Sequence, residues 1–379
     1  MENILETQQG TFELDRLPKR PLELLRAWDA ADEYLLAYLS AHELLSNDSR
    51  ILIYNDSFGA LAVALNQFKP IAISDSFLSQ QSTKLNLSKN KFPEDSVQFI
   101  NSLDGLSGTF DKVIIKAPKT LALLEDQLLR LHPHLTASTQ VIVGGMIKTL
   151  PPSVWALLER LVGPTTTGLA RKKARLIFAT PDLTLNIPLN RYPTSYQLEE
   201  SDKVISNHAN VFSREKLDIG TRFFLQHLPV GLGNSEIIDL GCGNGLVGLM
   251  VAQKNPAATV HFIDESFMAV ASAKDNFHRA FGVEGKATFC VGDGLCDIAA
   301  ASADLILCNP PFHQHNTVGD QIANSMIKES KRVLRVGGQL LLIGNRHLNY
   351  HLNLNRLFGS HTVIATNNKF IILKATLKR

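Results

Sequence analysis

The chain has 379 residues, of which 45% are hydrophobic and 20% are charged, and its formal net charge is +2. This length predicts two domains, and the composition is that of an ordinary globular protein. The balanced charge excludes a global positive field, so a nucleic-acid partner would be bound through local basic patches, and the lack of a long apolar run excludes a predicted membrane span.

In the first half of the chain, short apolar strands alternate with helical stretches. The predicted strands are Arg50–Tyr54, Ile71–Asp75, Val97–Ile100, Lys112–Ile115 and Gln140–Val143, and the predicted helices are Ala60–Gln67, Phe77–Leu87 and Leu121–Leu131. Strands separated by helices indicate β-α-β units, which predict an α/β domain with a parallel sheet covered by helices on both faces.

Residues 181–200 contain three prolines and little periodicity, so we expect them to connect two domains, 1–185 and 190–379. The second domain repeats the alternation of strands and helices. Its predicted strands are Glu236–Leu240, Val260–Asp264, Ala287–Val291, Ala303–Cys308 and Gln339–Ile343, and its predicted helices are Leu246–Gln253, Met268–Phe281 and Ile322–Leu334.

The two halves also resemble each other residue by residue in one stretch. SDSFLSQQSTKLNL at 74–87 matches IDESFMAVASAKDNF at 263–277, with an acid, a Ser-Phe pair and a helix of similar length in both. The repeat distance is about 190 residues, which is the size of a domain. We therefore predict two tandem, doubly wound, Rossmann-like domains that arose by internal duplication.

A glycine-rich segment, Asp239-Leu-Gly241-Cys-Gly243-Asn-Gly245-Leu-Val-Gly248, follows the first strand of the second half. Glycines let the chain turn sharply and bring the main chain close to a ligand at the start of a helix. From Gly243 onward the spacing fits G-x-G-x-x-G, and Asp264 follows about twenty residues later, as in dinucleotide sites. This loop by itself leaves NAD and other nucleoside cofactors open.

A second motif, Asn309-Pro310-Pro311-Phe312, follows the fourth strand. With Asp239 ahead of the glycines, this order resembles the class I methyltransferases, which carry their methyl-acceptor motif at this place. The resemblance implies that S-adenosylmethionine is the cofactor. It also implies a cofactor site that begins at Asp239, with the methionine part at Gly241, Gly243 and Gly245, the ribose hydroxyls at Asp264, and the adenine beside Asp293.

The Asn-Pro-Pro-Phe motif suits an acceptor that is a planar, conjugated amine. Such an amine is a weak nucleophile, because its lone pair is delocalised into the ring. The side-chain oxygen of Asn309 and the carbonyl of Pro310 could each accept one N–H bond and aim the lone pair at the methyl group, while Phe312 stacks on the ring. A guanine, an adenine and a glutamine amide all satisfy this description.

The first half lacks both motifs. It has Tyr54-Asn-Asp-Ser-Phe58-Gly59 in place of the glycine loop and Lys116-Ala-Pro118-Lys119 in place of Asn-Pro-Pro-Phe, so we expect it to be catalytically inactive. Its densest basic features could contact RNA phosphates. The candidate residues are Lys116, Lys119, Arg171, Lys172, Lys173 and Arg175.

A degenerate methyltransferase-like domain fused to an active one resembles the bacterial ribosomal RNA guanine-N2 methyltransferases of the RsmC and RlmG kind, and the chain is more similar to the large-subunit (23S) branch. The stretches that carry the resemblance span nearly the whole chain: AWDAADEYLL (27–36), PKTLALLEDQL (118–128), GPTTTGLARKKARL (163–176), NHANVFSREKLDIGTRFFLQHLP (207–229), NPPFHQH (309–315) and ATNNKFIILKA (365–375). The resemblance implies N2-methylguanosine in 23S ribosomal RNA as the product.

Several alternatives stay open at this point. The acceptor could be a 16S guanine, a DNA adenine or a protein glutamine; from other classes, the chain could be an NAD(P)-linked oxidoreductase or a non-catalytic RNA-binding assembly protein. No cysteine pair has zinc-ligand spacing and His313 and His315 lack further ligands, so no metal is predicted. The acidic N-terminus is not a signal peptide, and a cytoplasmic location is expected.

Overall fold

A computed structural model describes residues 3–19, 24–199, 201–310 and 317–378. The chain forms two compact units, Met1–Tyr192 and Pro193–Arg379, whose boundary lies inside the predicted connection at 181–200. Among the described residues, no helix combines the length and apolar character needed to cross a membrane.

The first unit begins with a hairpin and a helix, and a seven-stranded sheet follows. Its elements are β1 (Ile4–Thr7), β2 (Gly10–Glu13), α1 (Ala30–Ala41), β3 (Ile51–Tyr54), α2 (Ala60–Ala64), β4 (Ile71–Ser74), α3 (Phe77–Lys89), β5 (Gln98–Asn101), β6 (Lys112–Lys116), α4 (Leu121–Leu131), β7 (Gln140–Met146), α5 (Pro152–Leu161), β8 (Thr165–Thr167) and β9 (Ala174–Ala179). The strand order in the sheet is β5-β4-β3-β6-β7-β9-β8.

The second unit repeats this plan. Its elements are β10 (Thr194–Gln197), β11 (Val204–Asn207), α6 (Ile219–Leu225), β12 (Glu236–Leu240), α7 (Leu246–Lys254), β13 (Thr259–Asp264), α8 (Phe267–Phe281), β14 (Ala287–Val291), β15 (Ala303–Cys308), α9 (Thr317–Val333), β16 (Leu334–Asn345), α10 (Tyr350–Phe358), β17 (Thr362–Thr366) and β18 (Phe370–Thr376). The strand order, β14-β13-β12-β15-β16-β18-β17, is that of the first sheet.

The predicted α/β fold is confirmed, and each sheet is mixed, because antiparallel strands that were not predicted extend the predicted parallel ones. In each unit the last two strands are antiparallel: β9 to both β7 and β8, and β18 to both β16 and β17. The chain turns back between β17 and β18 through a short connection, which joins antiparallel strands but cannot join parallel ones.

The sheet of the second unit separates two apolar cores. Leu305 and Leu307 of β15 face a core that also contains Ile343 of β16. Ile306 and Cys308 face the opposite core, where helix α9 packs. Because successive side chains of a strand point to opposite faces, the residues that follow these strands are placed on a known face of the sheet.

One buried asparagine holds the same contacts in both units. Asn276 of α8 donates from Nδ2 to the carbonyl of Asn244 at 2.9 Å, and its amide also pairs with the main chain of Ser206. Asn86 of α3 likewise donates to the carbonyl of Phe58 at 2.8 Å and pairs with the main chain of Asp15. The shared topology and this shared contact support an origin by internal duplication.

Replacing Asn276 by alanine should lower the free energy of unfolding by about 2–4 kcal/mol, because buried main-chain groups lose their hydrogen-bond partners. Thermal unfolding of Asn276→Ala measures the loss. The exposed residue Asn234 provides the matched control, Asn234→Ala, which should unfold like the wild type. A loss below about 0.5 kcal/mol for Asn276→Ala would show that the contact does not organise the unit.

Candidate active site

The glycine loop after β12 has a conformation that other residues rarely adopt. Gly241, Gly243 and Gly245 have φ angles of 70°, 54° and 77°, in the left-handed region. A Cβ atom on Gly245 would lie 2.7 Å from Cβ of Ala273, so this glycine allows close packing of the loop on α8. Around Gly243, in contrast, a Cβ atom would have no neighbour within 4 Å. The loop is therefore packed at its end and open at its centre, as a cradle for a ligand requires.

Asp264 shapes the loop from the end of the neighbouring strand β13. Its carboxylate accepts hydrogen bonds from the main-chain N–H of Gly243 at 2.9 Å and of Ser266 at 3.0 Å. A carboxylate has about four lone-pair sites and can accept several hydrogen bonds at once. Asp264 thus lies beside the open part of the loop.

Asp239, which precedes the glycines, is buried under the loop. Its carboxylate accepts a hydrogen bond from the main-chain N–H of Gly248 at 2.7 Å and so supports the first turn of α7. Burial raises the pKa of Asp239 to about 7, and the nearby charge of Asp264 acts in the same direction. In the structure, Asp239 acts on the shape of the loop through Gly248.

Asp293 follows β14, the third strand whose carboxyl end reaches this edge of the sheet. The N–H of Gly292 donates to the carbonyl of Asp264 at 3.0 Å, which ties the end of β14 to the end of β13. The Asp293 side chain is about half buried, and this burial raises its pKa. The structure therefore brings all the predicted cofactor residues to one edge, the carboxyl ends of β12, β13 and β14.

Asn309 follows β15, on the other side of β12. Its Nδ2 donates to Oγ1 of Thr221 at 3.2 Å. Its Oδ1 is buried and has no hydrogen-bond partner among the described residues. Buried polar atoms without a partner are rare, so an unpaired acceptor here indicates a place for a donor from a ligand. Pro310 is buried beside it, whereas Pro311 and Phe312 lie outside the described residues.

Thr221 and Asp218 belong to this site, and sequence reasoning missed the contact that they make. Asp218 is the N-cap of α6, where its carboxylate accepts a hydrogen bond from the N–H of Thr221 at 2.9 Å. An acid at this position accepts a hydrogen bond from a free N–H of the helix, and its negative charge interacts favourably with the positive end of the helix dipole. The cap thereby places Thr221 against Asn309. Two residues that precede Asp218 make no hydrogen bond to Asn309 among the described residues. The Ser213 hydroxyl donates a hydrogen bond to the carbonyl of Lys216, and the Phe212 side chain is exposed.

Comparisons with known proteins show which family the chain belongs to. Residues 2–183 match the family described as RLMG N-terminal domain, and residues 202–374 match the family described as Methyltransferase small domain. Ribosomal RNA large subunit methyltransferase G of Stutzerimonas stutzeri is 48% identical over 98% of this chain and 99% of that protein. The chain belongs to the ribosomal RNA large subunit methyltransferase G family. The resemblance found in the sequence is thus confirmed.

Two further proteins match nearly the full length of this chain. The protein of the same name from Streptomyces griseus is 45% identical over 98% of this chain and 99% of its own length. The solved structure of T. thermophilus 16S rRNA N2 G1207 methyltransferase (RsmC) in complex with AdoMet and guanosine has a TM-score of 0.78. It covers 99% of this chain and 97% of its own chain at 18% identity, which shows a shared fold.

In the first unit of this methyltransferase G family member, the loop that corresponds to the glycine loop is closed by side chains. Asn55 takes the left-handed position of Gly241, with φ of 62°, and forms a pair of amide hydrogen bonds with Gln127. Asp56 turns into the loop and accepts hydrogen bonds from Gly59 and Ala62, and burial raises its pKa to about 7. The side chains of Asn55 and Asp56 therefore occupy this loop, which in the second unit is open at its centre.

The strand end in the first unit also differs from the prediction. Strand β4 ends at Ser74, one residue before the predicted Asp75. The hydroxyl of Ser74 accepts a hydrogen bond from Ser76, as Asp264 does from Ser266. Asp75 instead accepts a bond from the Ser102 hydroxyl at 2.6 Å. The first unit therefore has a serine where the second has its loop-shaping carboxylate.

Lys116 stands at the position of Asn309, and its predicted role as a phosphate contact needs correction. Its ammonium forms ion pairs with Asp29 at 2.7 Å and Asp32 at 2.8 Å, and only 13% of the side chain is exposed. Burial alone would lower the pKa of Lys116, but the two carboxylates raise it above its usual value. This charge is already neutralised inside the protein, so it is not presented to RNA.

The other basic candidates lie nearer the surface of the first unit. Lys119, Arg171, Lys172 and Lys173 are exposed, and Arg175 is partly buried. The guanidinium of Arg171 lies over the ring of Tyr34, and Lys172 pairs with Glu33 at 2.7 Å. Lys172 and Lys173 have φ angles of 47° and 64° in the turn between Arg171 and Ala174. Such a turn ordinarily takes Asn-Gly, so two lysines are unusual here.

No group of three His, Cys, Asp or Glu side chains that could hold a metal ion occurs in the part of the chain that the structure describes. His313 and His315 lie outside it.

The raised pKa of Asp239 predicts a pH-dependent stability. An acid whose pKa is higher in the folded state contributes most stability below its unfolded pKa, and that contribution is lost as pH rises from about 4 to about 7. Asp239→Asn cannot ionise, so its free energy of unfolding should fall less than that of the wild type between pH 5 and pH 8. Thermal unfolding across this range measures both slopes, and equal slopes would contradict the prediction.

Proposed function

We propose that this chain transfers the methyl group of S-adenosylmethionine to the exocyclic N2 amine of a specific guanine in 23S ribosomal RNA. The observation that carries the proposal is the unpaired, buried Oδ1 of Asn309, which directly follows β15, the strand next to β12 and its glycine loop. Family membership supports it, as does the guanosine bound by RsmC, whose fold this chain shares. Work on ribosomal RNA would place the protein in the cytoplasm.

The residues of the loop fit this cofactor. The loop of Gly241, Gly243 and Gly245, whose main chain is open at Gly243, would accommodate the methionine part, and the carboxylate of Asp264 would accept the ribose hydroxyls. Asp293, at the end of the next strand, would lie beside the adenine. When bound, S-adenosylmethionine supplies an electrophilic methyl group on a sulfonium. The protein's own contribution is to hold this group at the same sheet edge as Asn309.

Asn309 would prepare the acceptor amine. Its Oδ1 and the carbonyl of Pro310 would accept the two N–H bonds, which draws the lone pair of the nitrogen out of conjugation and towards the methyl group. The carbon–sulfur bond breaks as the carbon–nitrogen bond forms, and the amine then releases one proton to solvent. The products are N2-methylguanine, S-adenosylhomocysteine and the proton. Positioning and electrostatics suffice, because the sulfonium is already activated.

The first unit would bind RNA and not the cofactor. Its loop is filled by Asn55 and Asp56, whereas Lys119, Arg171, Lys172 and Lys173 leave positive charge at its surface. Phosphate contacts of this kind are independent of base sequence and orient a nucleic acid. A pocket that reads one base needs such additional surface to select a site in a large RNA.

The proposal predicts the behaviour of Asn309→Ala. The variant should lose nearly all methyl transfer and keep its affinity for S-adenosylmethionine, because the amide acts on the acceptor. Labelled S-adenosylmethionine and ribosomal RNA from a strain that lacks the protein provide the assay, and calorimetry measures the affinity. Asn234→Ala, an exposed asparagine, is the control. Most of the turnover remaining in Asn309→Ala, or tight NAD binding without S-adenosylmethionine binding by the wild type, would overturn the proposal.

The surface lysines predict a salt-sensitive affinity for RNA. Lys172→Asn with Lys173→Gly keeps residues that accept the left-handed turn but removes two charges. RNA affinity should fall, and each lost phosphate contact should reduce the slope of log affinity against log salt by about 0.7–0.9. Lys69 and Lys91 are also exposed and left-handed, so Lys69→Asn with Lys91→Gly is the matched control. Equal affinities and slopes for both double variants would exclude the turn from RNA binding.

A further inference from the structure

A second buried amide in the catalytic unit has an unpaired oxygen. Asn345 is the last residue of β16 and is 5% exposed. Its Oδ1 is buried without a hydrogen-bond partner among the described residues, as is Oδ1 of Asn309. A buried acceptor left unpaired destabilises the folded state, so two of them at one sheet edge require an explanation.

The two asparagines lie on the same face of the sheet. Strands β15 and β16 are parallel neighbours in which Cys308 is opposite Leu342. Leu307 and Ile343 both face the core of α7 and α8. By the alternation of strands, Asn309 and Asn345 continue this face, and ordinary strand spacings put their Cα atoms about 8 Å apart.

The first turn of α6 contacts the surroundings of both amides. Thr221 accepts the hydrogen bond from Asn309. Its neighbour Gly220 lies against Phe370, since a Cβ atom on Gly220 would be 3.0 Å from that ring, and Phe370 is the strand partner of Asn345. One helix end, capped by Asp218, thus contacts Asn309 directly and the strand partner of Asn345.

The first unit has lost both amides. Lys116 occupies the position of Asn309, and by the same strand register Met146, the last residue of β7, occupies the position of Asn345. Lys116 is neutralised by Asp29 and Asp32, and Met146 packs against an apolar core. The pair of open acceptors therefore occurs only in the unit with the open glycine loop, among the described residues.

We propose that Asn345 reads the edge of the acceptor base and selects guanine. This inference rests on the proposed function. Guanine carries an N1–H donor next to its N2 amine and an O6 acceptor beyond it. With Asn309 on the amine, Oδ1 of Asn345 accepts the N1–H and its Nδ2 can donate to O6, as an amide does in two-point base contacts. Adenine has an acceptor at N1, which would face the Asn345 oxygen, and a glutamine side chain has no such edge.

The test compares two RNA substrates that both carry the reactive amine. In one the target guanine is present; in the other it is replaced by 2-aminopurine, which keeps the C2 amine but lacks N1–H and O6. The wild type should prefer guanine in kcat/KM by roughly 10- to 100-fold. Asn345→Ala should reduce this preference to near unity, because it slows methylation of guanine and removes the oxygen that opposes the N1 acceptor of 2-aminopurine.

Asn345→Leu keeps the branching and the number of heavy atoms of asparagine and removes both polar atoms, so it keeps the inference testable should the alanine variant fold poorly. Both variants should retain the wild-type affinity for S-adenosylmethionine. A preference that survives in both, or a wild type that does not distinguish the two bases, would overturn the role of Asn345. A wild type that methylates neither RNA would overturn the proposed function itself.

Discussion

The arrangement of the catalytic unit depends on the amide of Asn276. A loop with three left-handed glycines has few side chains of its own to hold it, so contacts from outside the loop contribute to fixing its position. Asn276 fixes the loop by its bond to the Asn244 carbonyl and fixes the entering strand β11 by its bonds to Ser206. Asn244 in turn donates to the buried Asn207 at 2.9 Å. The cofactor loop and the segment before it are therefore one structure.

The first unit contains the same buried asparagine contacts, and it differs from the second unit in how the polar groups at the strand ends are hydrogen-bonded. Buried polar atoms need partners. In the first unit the partners are internal: Asn55 pairs with Gln127, and Lys116 pairs with Asp29 and Asp32. In the second unit the glycines leave a gap, and the oxygen of Asn309 is left for a ligand. A few substitutions at strand ends thus separate a domain with an open site from a closed one.

Much of the fold was predictable because its signals are local. Apolar runs, glycines and N-capping residues marked the central strands and helices to within a few residues. The antiparallel strands β9 and β18 were missed, since their direction depends on pairing and not on composition. The strand end at Ser74 was misplaced by one residue, because an acid one position later imitated the pattern of Asp264.

Three elements of the site are each encoded by a short segment and could be predicted from the sequence: the left-handed glycine loop, the acid at the end of β13 and the asparagine after β15. Their chemistry follows from residue type and local conformation. Which polar groups form hydrogen bonds or ion pairs with each other depends on the tertiary structure. Thr221 meets Asn309 from 88 residues away, and Lys116 meets Asp29 from 87 residues away. Such contacts depend on strand register and helix placement across the whole domain. A lysine that the sequence suggests is a surface charge can therefore form a buried ion pair. In the same way, an asparagine at the end of β16 can belong to the acceptor site.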